Sequence, residues 1–196
     1  MAATTAPVRV VVLAYPRVDE LDLFGAYSVL TKAAPRLDVR IAAREEQITG
    51  SGGVTFTAGT DLAAVACADA VVVPGGRGAV DAAADAELRE VLRAAGSRGA
   101  AVYGVCSGTL LIAAAGLADG RKVAVHHGKR DLLRAHQVGE VVRGLVRDRG
   151  VSTVGGDQRD SVKSVDLAFA LLADFAADLV EPISTRMELR PGRSAS

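Results

Sequence analysis

Apolar residues fall along this chain in two alternating rhythms. Short, nearly continuous apolar runs occur at Val8 to Leu13, Val39 to Ala42, Ala70 to Val73, Ala100 to Val105 and Lys122 to Val125. Runs of that length and β-branched content predict strands buried on both faces, as in a parallel sheet. Between them lie longer stretches of helical character. Leu23 to Ala34 predicts a helix closed by Pro35, and Asp85 to Ala95 one with its charged residues turned outward. Thr49 to Phe56 is turn-rich and predicts a small hairpin, and Asp61 is placed to cap a short helix that ends near Cys67. Asp131 to His136 reads as helical. Val138 to Leu145 and Val151 to Val154 read as the last strands. Ser164 to Ala176 and Ala177 to Leu189 read as terminal helices, with a break expected near Pro182. Strand and helix in alternation predict a single-domain three-layer α/β/α sandwich with a mostly parallel sheet. The domain is expected over residues 8–190, after a disordered or extended segment 1–7 and before a frayed tail 191–196.

Composition narrows the function classes. The chain has 196 residues, enough for one domain with a substantial core. It is 49% hydrophobic, yet no run is long or pure enough to span a bilayer. The first residues lack the charged and apolar regions of a secretory signal, so a cytoplasmic protein is expected. Formal net charge is zero and no basic block stands out, which gives nucleic acid or an anionic membrane no electrostatic foothold. Aromatic residues are 4% and Trp is absent, so stacking platforms for single-stranded nucleic acid are not expected. Two cysteines, Cys67 and Cys106, suggest reduced thiols rather than a disulfide framework.

Candidate chemistry centres on Gly104-Val105-Cys106-Ser107-Gly108. A small-residue strand enters this turn and an Ala/Leu-rich helix leaves it, the layout of a nucleophile elbow with sulfur in place of a hydroxyl. A helix N-terminus favours the thiolate, so Cys106 is expected to have a lowered pKa. Pro74-Gly75-Gly76-Arg77-Gly78 lacks the lysine and hydroxyl of a phosphate loop and fails the dinucleotide spacing. It reads either as a plain strand-to-helix turn or as an oxyanion pocket, in which the N–H of Gly75 or Gly76 joins that of Ser107. Asp22 lies between apolar neighbours: it is either a helix cap or a carboxylic acid with a raised pKa that shuttles a proton. Asp19 and Glu20 read as solvated. His126 and His127 follow a strand, and since neighbours on an extended chain face opposite ways, at most one of them can point at Cys106. No third ligand has metal-binding spacing. Cys67 reads as a small packing residue.

Together these residues resemble the ThiJ/PfpI superfamily, single-domain relatives of the class I glutamine amidotransferases. The resemblance rests on Tyr15-Pro16 with Leu21-Asp22-Leu23-Phe24-Gly25, on Val73-Pro74-Gly75-Gly76, and on Val105-Cys106-Ser107-Gly108. The run from Leu111 to Arg121, then His126 and Gly155-Gly156, complete it over about Val8 to Pro191. It implies a flavodoxin-like fold and a homodimer. The Leu-Asp-Leu-Phe-Gly segment and the run after Cys106 look most like the isonitrile hydratase branch. That likeness implies a cofactor-free hydratase acting on a small electrophilic molecule, with Cys106 as nucleophile, Asp22 as acid/base and Ser107 as polar neighbour.

The chain departs from that branch at several points. Ser107 replaces threonine, Ala124-Val125 replaces two threonines expected to edge the pocket, and His127-Gly128-Lys129 stands where a tryptophan usually follows. Asp157-Gln158-Arg159-Asp160-Ser161 replaces a segment of small residues. Such changes bear on substrate choice, so three other readings accompany the first: a glyoxalase-like enzyme, a natural-product biosynthetic enzyme, and a cysteine redox sensor.

Overall fold

The computed structural model describes residues 6–156 and 162–190. The expectations placed on the first five residues, on Asp157 to Ser161 and on the tail from Pro191 lie outside the described residues.

Strand β1 (Val8–Leu13) leads into helix α1 (Glu20–Leu30), and β2 (Leu37–Ala42) returns alongside β1. The expected hairpin forms from β3 (Gln47–Thr49) and β4 (Thr55–Thr57). Helix α2 (Ala63–Ala66), β5 (Ala70–Val73), α3 (Ala79–Ala84) and α4 (Ala86–Ser97) follow. Then come β6 (Ala101–Val105), a tight 3-10 turn (Cys106–Gly108) and α5 (Thr109–Ala114). Strand β7 (Lys122–Ala124), a 3-10 segment (His127–Ala135), β8 (Glu140–Val142), β9 (Gly144–Asp148) and β10 (Val151–Gly155) precede α6 (Lys163–Phe175) and α7 (Val180–Met187).

The main sheet has the order β2-β1-β5-β6-β10-β9, parallel throughout except for β9, which runs against β10 at the edge. Its central strands are apolar because both faces are covered. One helical layer joins α1 with α6, and the other joins α2, α3, α4 and α5. Val10 to Leu13 and Ala70 to Val73 are buried along their whole length. Chain order reverses direction between β1 and β5, so the carboxyl ends of β1, β5 and β6 open onto a crevice, where such sheets place ligands. No helix among the described residues is long and apolar enough to cross a membrane.

Several elements differ from expectation for physical reasons. Helix α1 starts three residues early because Asp19 caps it, its carboxylate accepting the N–H groups of Leu21 and Asp22. The expected strand from Val138 to Leu145 splits, because Gly144, at φ 84°, turns the chain out of β8 and into β9. Strand β7 pairs with β8 in a separate two-stranded sheet. Pro182 sits in the first turn of α7, where a missing N–H costs nothing, and the break falls instead at Ala176 (φ −155°, ψ 52°). Cys67 closes α2 at the surface and is exposed rather than packed.

Candidate active site

The turn after β6 is built around close backbone approach. Cys106 has φ 58°, a left-handed conformation that costs a non-glycine residue about 1–3 kcal/mol and persists only where the surroundings enforce it. Those surroundings are the end of β5. A Cβ on Gly108 would lie 2.1 Å from the Val73 carbonyl oxygen and 2.5 Å from that of Pro74. A Cβ on Gly104 would lie 2.6 Å from Cδ1 of Ile112. Both glycines of the motif are therefore steric requirements. The Cys106 carbonyl accepts the N–H of His126 at 3.1 Å, which anchors the far side of the turn.

Asp22 approaches from α1. Since Asp19 caps that helix, the Asp22 carboxylate is free for other work. It is 9% exposed, and its Oδ2 accepts the Gly75 N–H at 3.1 Å. The Cys106 thiol acts on the same carboxyl and favours its charged form. Gly75 joins the two sides: its carbonyl accepts the Asp19 N–H at 2.9 Å. A Cβ on Gly75 would fall 2.7 Å from Asp22 Oδ2 and 2.9 Å from both N and Oγ of Ser107.

Burial decides the protonation of this pair. It lifts the Asp22 carboxyl from the ordinary carboxylate range to about 6, with the negative Asp19 adding to the effect. The Gly75 N–H, Lys163 and the thiol act in the opposite sense. Burial also pushes the Cys106 thiol up to about 12, and the Asp22 charge pushes it further, against the Ser107 N–H and Lys163. The lowered thiol pKa expected from a helix N-terminus is therefore reversed. Cys106 opens the 3-10 turn that leads into α5, a helix of only six residues. Near neutral pH the pair rests as a thiol beside a carboxylate. Tyr15, fully buried, donates its hydroxyl to the Pro74 carbonyl at 2.6 Å and fixes the turn behind Asp22.

The two glycine amides are engaged within the site. Gly75 N–H serves Asp22, and Gly76 N–H donates to Ser107 Oγ at 3.0 Å. Ser107, 4% exposed, returns a hydrogen bond to the Gly76 carbonyl at 3.2 Å. In place of the expected oxyanion pocket, these contacts clamp the elbow to the Pro74-Gly75-Gly76 turn, and the Ser107 N–H supports the sulfur.

A sequence model of the DJ-1/PfpI family matches residues 8–163. The chain belongs to the DJ-1/PfpI family. It is 28% identical over 181 residues to an isonitrile hydratase of Pseudomonas putida, covering 91% of this chain and 77% of that protein. A ThiJ/PfpI family protein from Pseudomonas syringae superposes with a TM-score of 0.84 at 25% identity, covering 95% of this chain and 77% of that one. Drosophila melanogaster DJ-1beta superposes with a TM-score of 0.83 at 22% identity, covering 94% of this chain and 99% of that one, a likeness of fold. The flavodoxin-like, glutamine amidotransferase-like architecture expected from the sequence is thus the architecture of the family.

Within this DJ-1/PfpI frame the remaining candidate residues take definite places. His126 and His127 do not alternate about a strand, because β7 ends at Ala124 and a 3-10 segment begins at His127. Their rings lie 4.3 Å apart at 31°. His126 caps that segment, with Nδ1 accepting the Gly128 N–H at 3.1 Å, and meets the elbow through its backbone. Ala124 and Val125 are fully buried, so they belong to the interior and not to a pocket edge. The Ala124 backbone is held by two hydroxyls: Thr109 Oγ1 donates to its carbonyl, and its N–H donates to Thr153 Oγ1, both at 2.7 Å. Gly155 and Gly156 let β10 close on Val125, and the Gly156 N–H donates to the Val125 carbonyl at 2.8 Å.

Three residues escaped the sequence reading. Asp19 is the cap, and an acidic residue three places before Asp22 was the available signal. Glu20 is not simply solvated: its carboxylate accepts the N–H of Gly52 at 2.8 Å, tying α1 to the hairpin. Lys163 acts on Asp22 and Cys106 from a separate helix, and no local pattern announces that.

Proposed function

We propose that this DJ-1/PfpI protein is a thiol-dependent hydratase that converts an isonitrile, R–NC, and water into an N-substituted formamide, R–NH–CHO. One observation carries the reading: a thiol stands beside a carboxyl whose pKa burial raises to about 6, so that carboxyl can take and return a proton near physiological pH. The likeness to the Pseudomonas putida isonitrile hydratase supports it. An isonitrile carbon accepts a nucleophile productively only when a proton arrives at that carbon, so nucleophile and acid must converge.

Asp22 takes the S–H proton as the Cys106 sulfur bonds to the isonitrile carbon. The protonated carboxyl delivers that proton to the same carbon, giving the thioimidate Cys106–S–CH=N–R. Asp22, again a carboxylate, takes a proton from water as the water oxygen adds to the carbon, and passes that proton to the nitrogen, which returns Asp22 to carboxylate. The C–S bond then breaks, the formamide leaves and the hydroxyl proton returns to sulfur. Atoms and charge balance without an external oxidant or reductant. Ser107 and Gly75 hold the two reacting groups in register.

The test is incubation with an alkyl isonitrile and detection of formamide by NMR. Cys106→Ala is expected to abolish turnover, and Asp22→Asn to lower kcat/KM by about 10²–10⁴-fold. Absence of formamide, or full activity in Cys106→Ala, overturns the reading.

The same reading takes the protein as a homodimer. Leu21 on α1 and Val54 on the hairpin are 61% and 53% exposed, and Glu20 holds the Val54 N–H at 3.4 Å, so the two apolar side chains belong to one neighbourhood.

A further inference from the structure

A cavity of about 170 Å³ opens at the carboxyl ends of β1 and β2, against α3 and the start of α4, and neither Cys106 nor Asp22 lines it. Parallel sheets bind ligands at this end, beside the point where strand order reverses, here between β1 and β5. The floor is Ala14, Tyr15, Ile48, Ala82 and Leu88, all buried. One wall is set by close backbone approach. A Cβ on Gly78 would lie 2.0 Å from the Pro16 carbonyl oxygen. Arg17, in the same wall, holds φ 60°. Its N–H donates to the Thr49 carbonyl at 2.8 Å, and its own carbonyl accepts the Gly78 N–H at 3.1 Å and Ser51 Oγ at 2.6 Å. A left-handed non-glycine residue persists only where its surroundings over-determine it, and such residues cluster at ligand clamps. The wall is thus in place before any ligand arrives, as in preformed sites.

The mouth is charged, but its charges are paired with one another. Arg17 on the sheet side pairs with Asp81 of α3. Arg44, after β2, reaches Asp85 at 2.7 Å and Glu87 at 2.6 Å. These pairs run from the sheet side to the helix side and strap the opening twice. Asp85 is engaged further as the cap of α4, accepting the N–H groups of Glu87 and Leu88. A charged ligand would have to part a carboxylate from a guanidinium and then lie on an apolar floor, which disfavours it. An uncharged ligand has only to slip past exposed ion pairs, which contribute little. A guanidinium has five N–H donors, so pairing with carboxylates still leaves it able to meet a neutral acceptor. An apolar cavity of about 150 Å³ holds a benzene-sized molecule, so this one fits a single six-membered ring or an alkyl group of that bulk.

We propose that this cavity is a second ligand site, distinct from the Cys106–Asp22 pair, for an uncharged molecule whose apolar body is about one ring in size and whose single hydroxyl or carbonyl oxygen faces Arg17 and Arg44. The site goes beyond the hydratase reading and does not depend on it.

The experiment titrates the ¹⁵N-labelled protein with three probes of one shape: benzyl alcohol, benzylamine as the cation and benzoate as the anion, each read by amide chemical shifts at pH 7. Benzyl alcohol is expected to bind saturably with a Kd of about 1 mM or tighter, and at least tenfold more tightly than either charged probe. Its shifts are expected to centre on Ala14 to Arg17, Ile48 and Ala82. Ala82→Leu fills the floor and is expected to weaken binding at least tenfold, while Cys106→Ala leaves the Kd within about twofold. Thermal melts accompany both variants. If Ala82→Leu fails to melt cooperatively, the shift map in the wild type and the Cys106→Ala titration decide. Four results overturn the proposal: no saturable binding of benzyl alcohol, equal or tighter binding of a charged probe, shifts centred on Gly104 to Gly108 with binding lost in Cys106→Ala, or an unchanged Kd in a folded Ala82→Leu variant.

Discussion

Asp22 is an acid placed where its charge is disfavoured, and that has a measurable cost. Its folded pKa, about 6, lies above that of an exposed aspartate. Between those two values the native state binds more protons than the unfolded state, so stability falls as pH rises through that window. Below it the carboxyl is protonated in both states and the penalty is absent. Asp22→Asn keeps an acceptor for the Gly75 N–H and removes the charge, so it is expected to stabilise the protein at pH 8 by about 1–3 kcal/mol and to change stability little at pH 4. Urea denaturation at the two pH values checks this, and equal effects at both would contradict it. Activity runs the other way, because Asp22 must be ionised to accept the thiol proton: kcat/KM is expected to rise as pH passes upward through about 6. Cys106 was legible as a nucleophile because its glycines are spaced for a tight turn between strand and helix. Its acidity was not, since it depends on burial and on a carboxylate 84 residues away in sequence, which no local pattern carries.

At the scale of elements, the elbow after β6 and the turn after β5 form one unit. Gly75 sits where Asp22, Ser107 and Asp19 converge. Gly75→Ala would put a Cβ 2.7 Å from Asp22 Oδ2, against backbone as well as side-chain atoms, so the turn or α1 must shift. Formamide production is expected to drop by about 10²-fold, because a displacement near 1 Å of a reacting group costs that much. Ser107→Ala leaves the half-buried Gly76 N–H without its acceptor and is expected to cost about 1 kcal/mol of stability, read from a urea midpoint. Cys106 alkylation in that variant should persist, since the thiol and Asp22 remain. The strands β1, β2, β5 and β6 were readable because burial on both faces leaves a continuous apolar run. The start of α1 was not, because its first turn is polar and is fixed by the Asp19 cap rather than by periodicity. The split of β8 from β9 turns on a single left-handed glycine, Gly144, inside a run that otherwise reads as one strand. Pro182 misled for the opposite reason: proline marks a helix break only beyond the first turn.

At the scale of the molecule, α1 couples the reacting centre to the outer surface. One side of the helix carries Asp22 inward, and the adjacent residue, Leu21, projects apolar surface outward at 61% exposure. The hairpin stands beside it, packed through Phe24 and Phe56 with ring centroids 5.0 Å apart and edge-to-face, and adds Val54 at 53% exposure. This exposed apolar pair is where the proposed homodimer would place its contact. A twofold-symmetric contact through this face would bury Leu21 and Val54 of both copies, and each Asp22 would then lie one residue from the interface. Leu21→Glu with Val54→Lys places charges there that have no partner once water is excluded. Sedimentation equilibrium at micromolar concentration is expected to give a dimer for the wild type and a monomer for the double variant, with self-association weakened by about 10²-fold or more. The melt of the double variant should show a single cooperative transition, because neither side chain belongs to the core. A monomeric wild type, or a double variant that remains dimeric, would remove this face as the interface and leave Asp22 held by contacts within one chain alone.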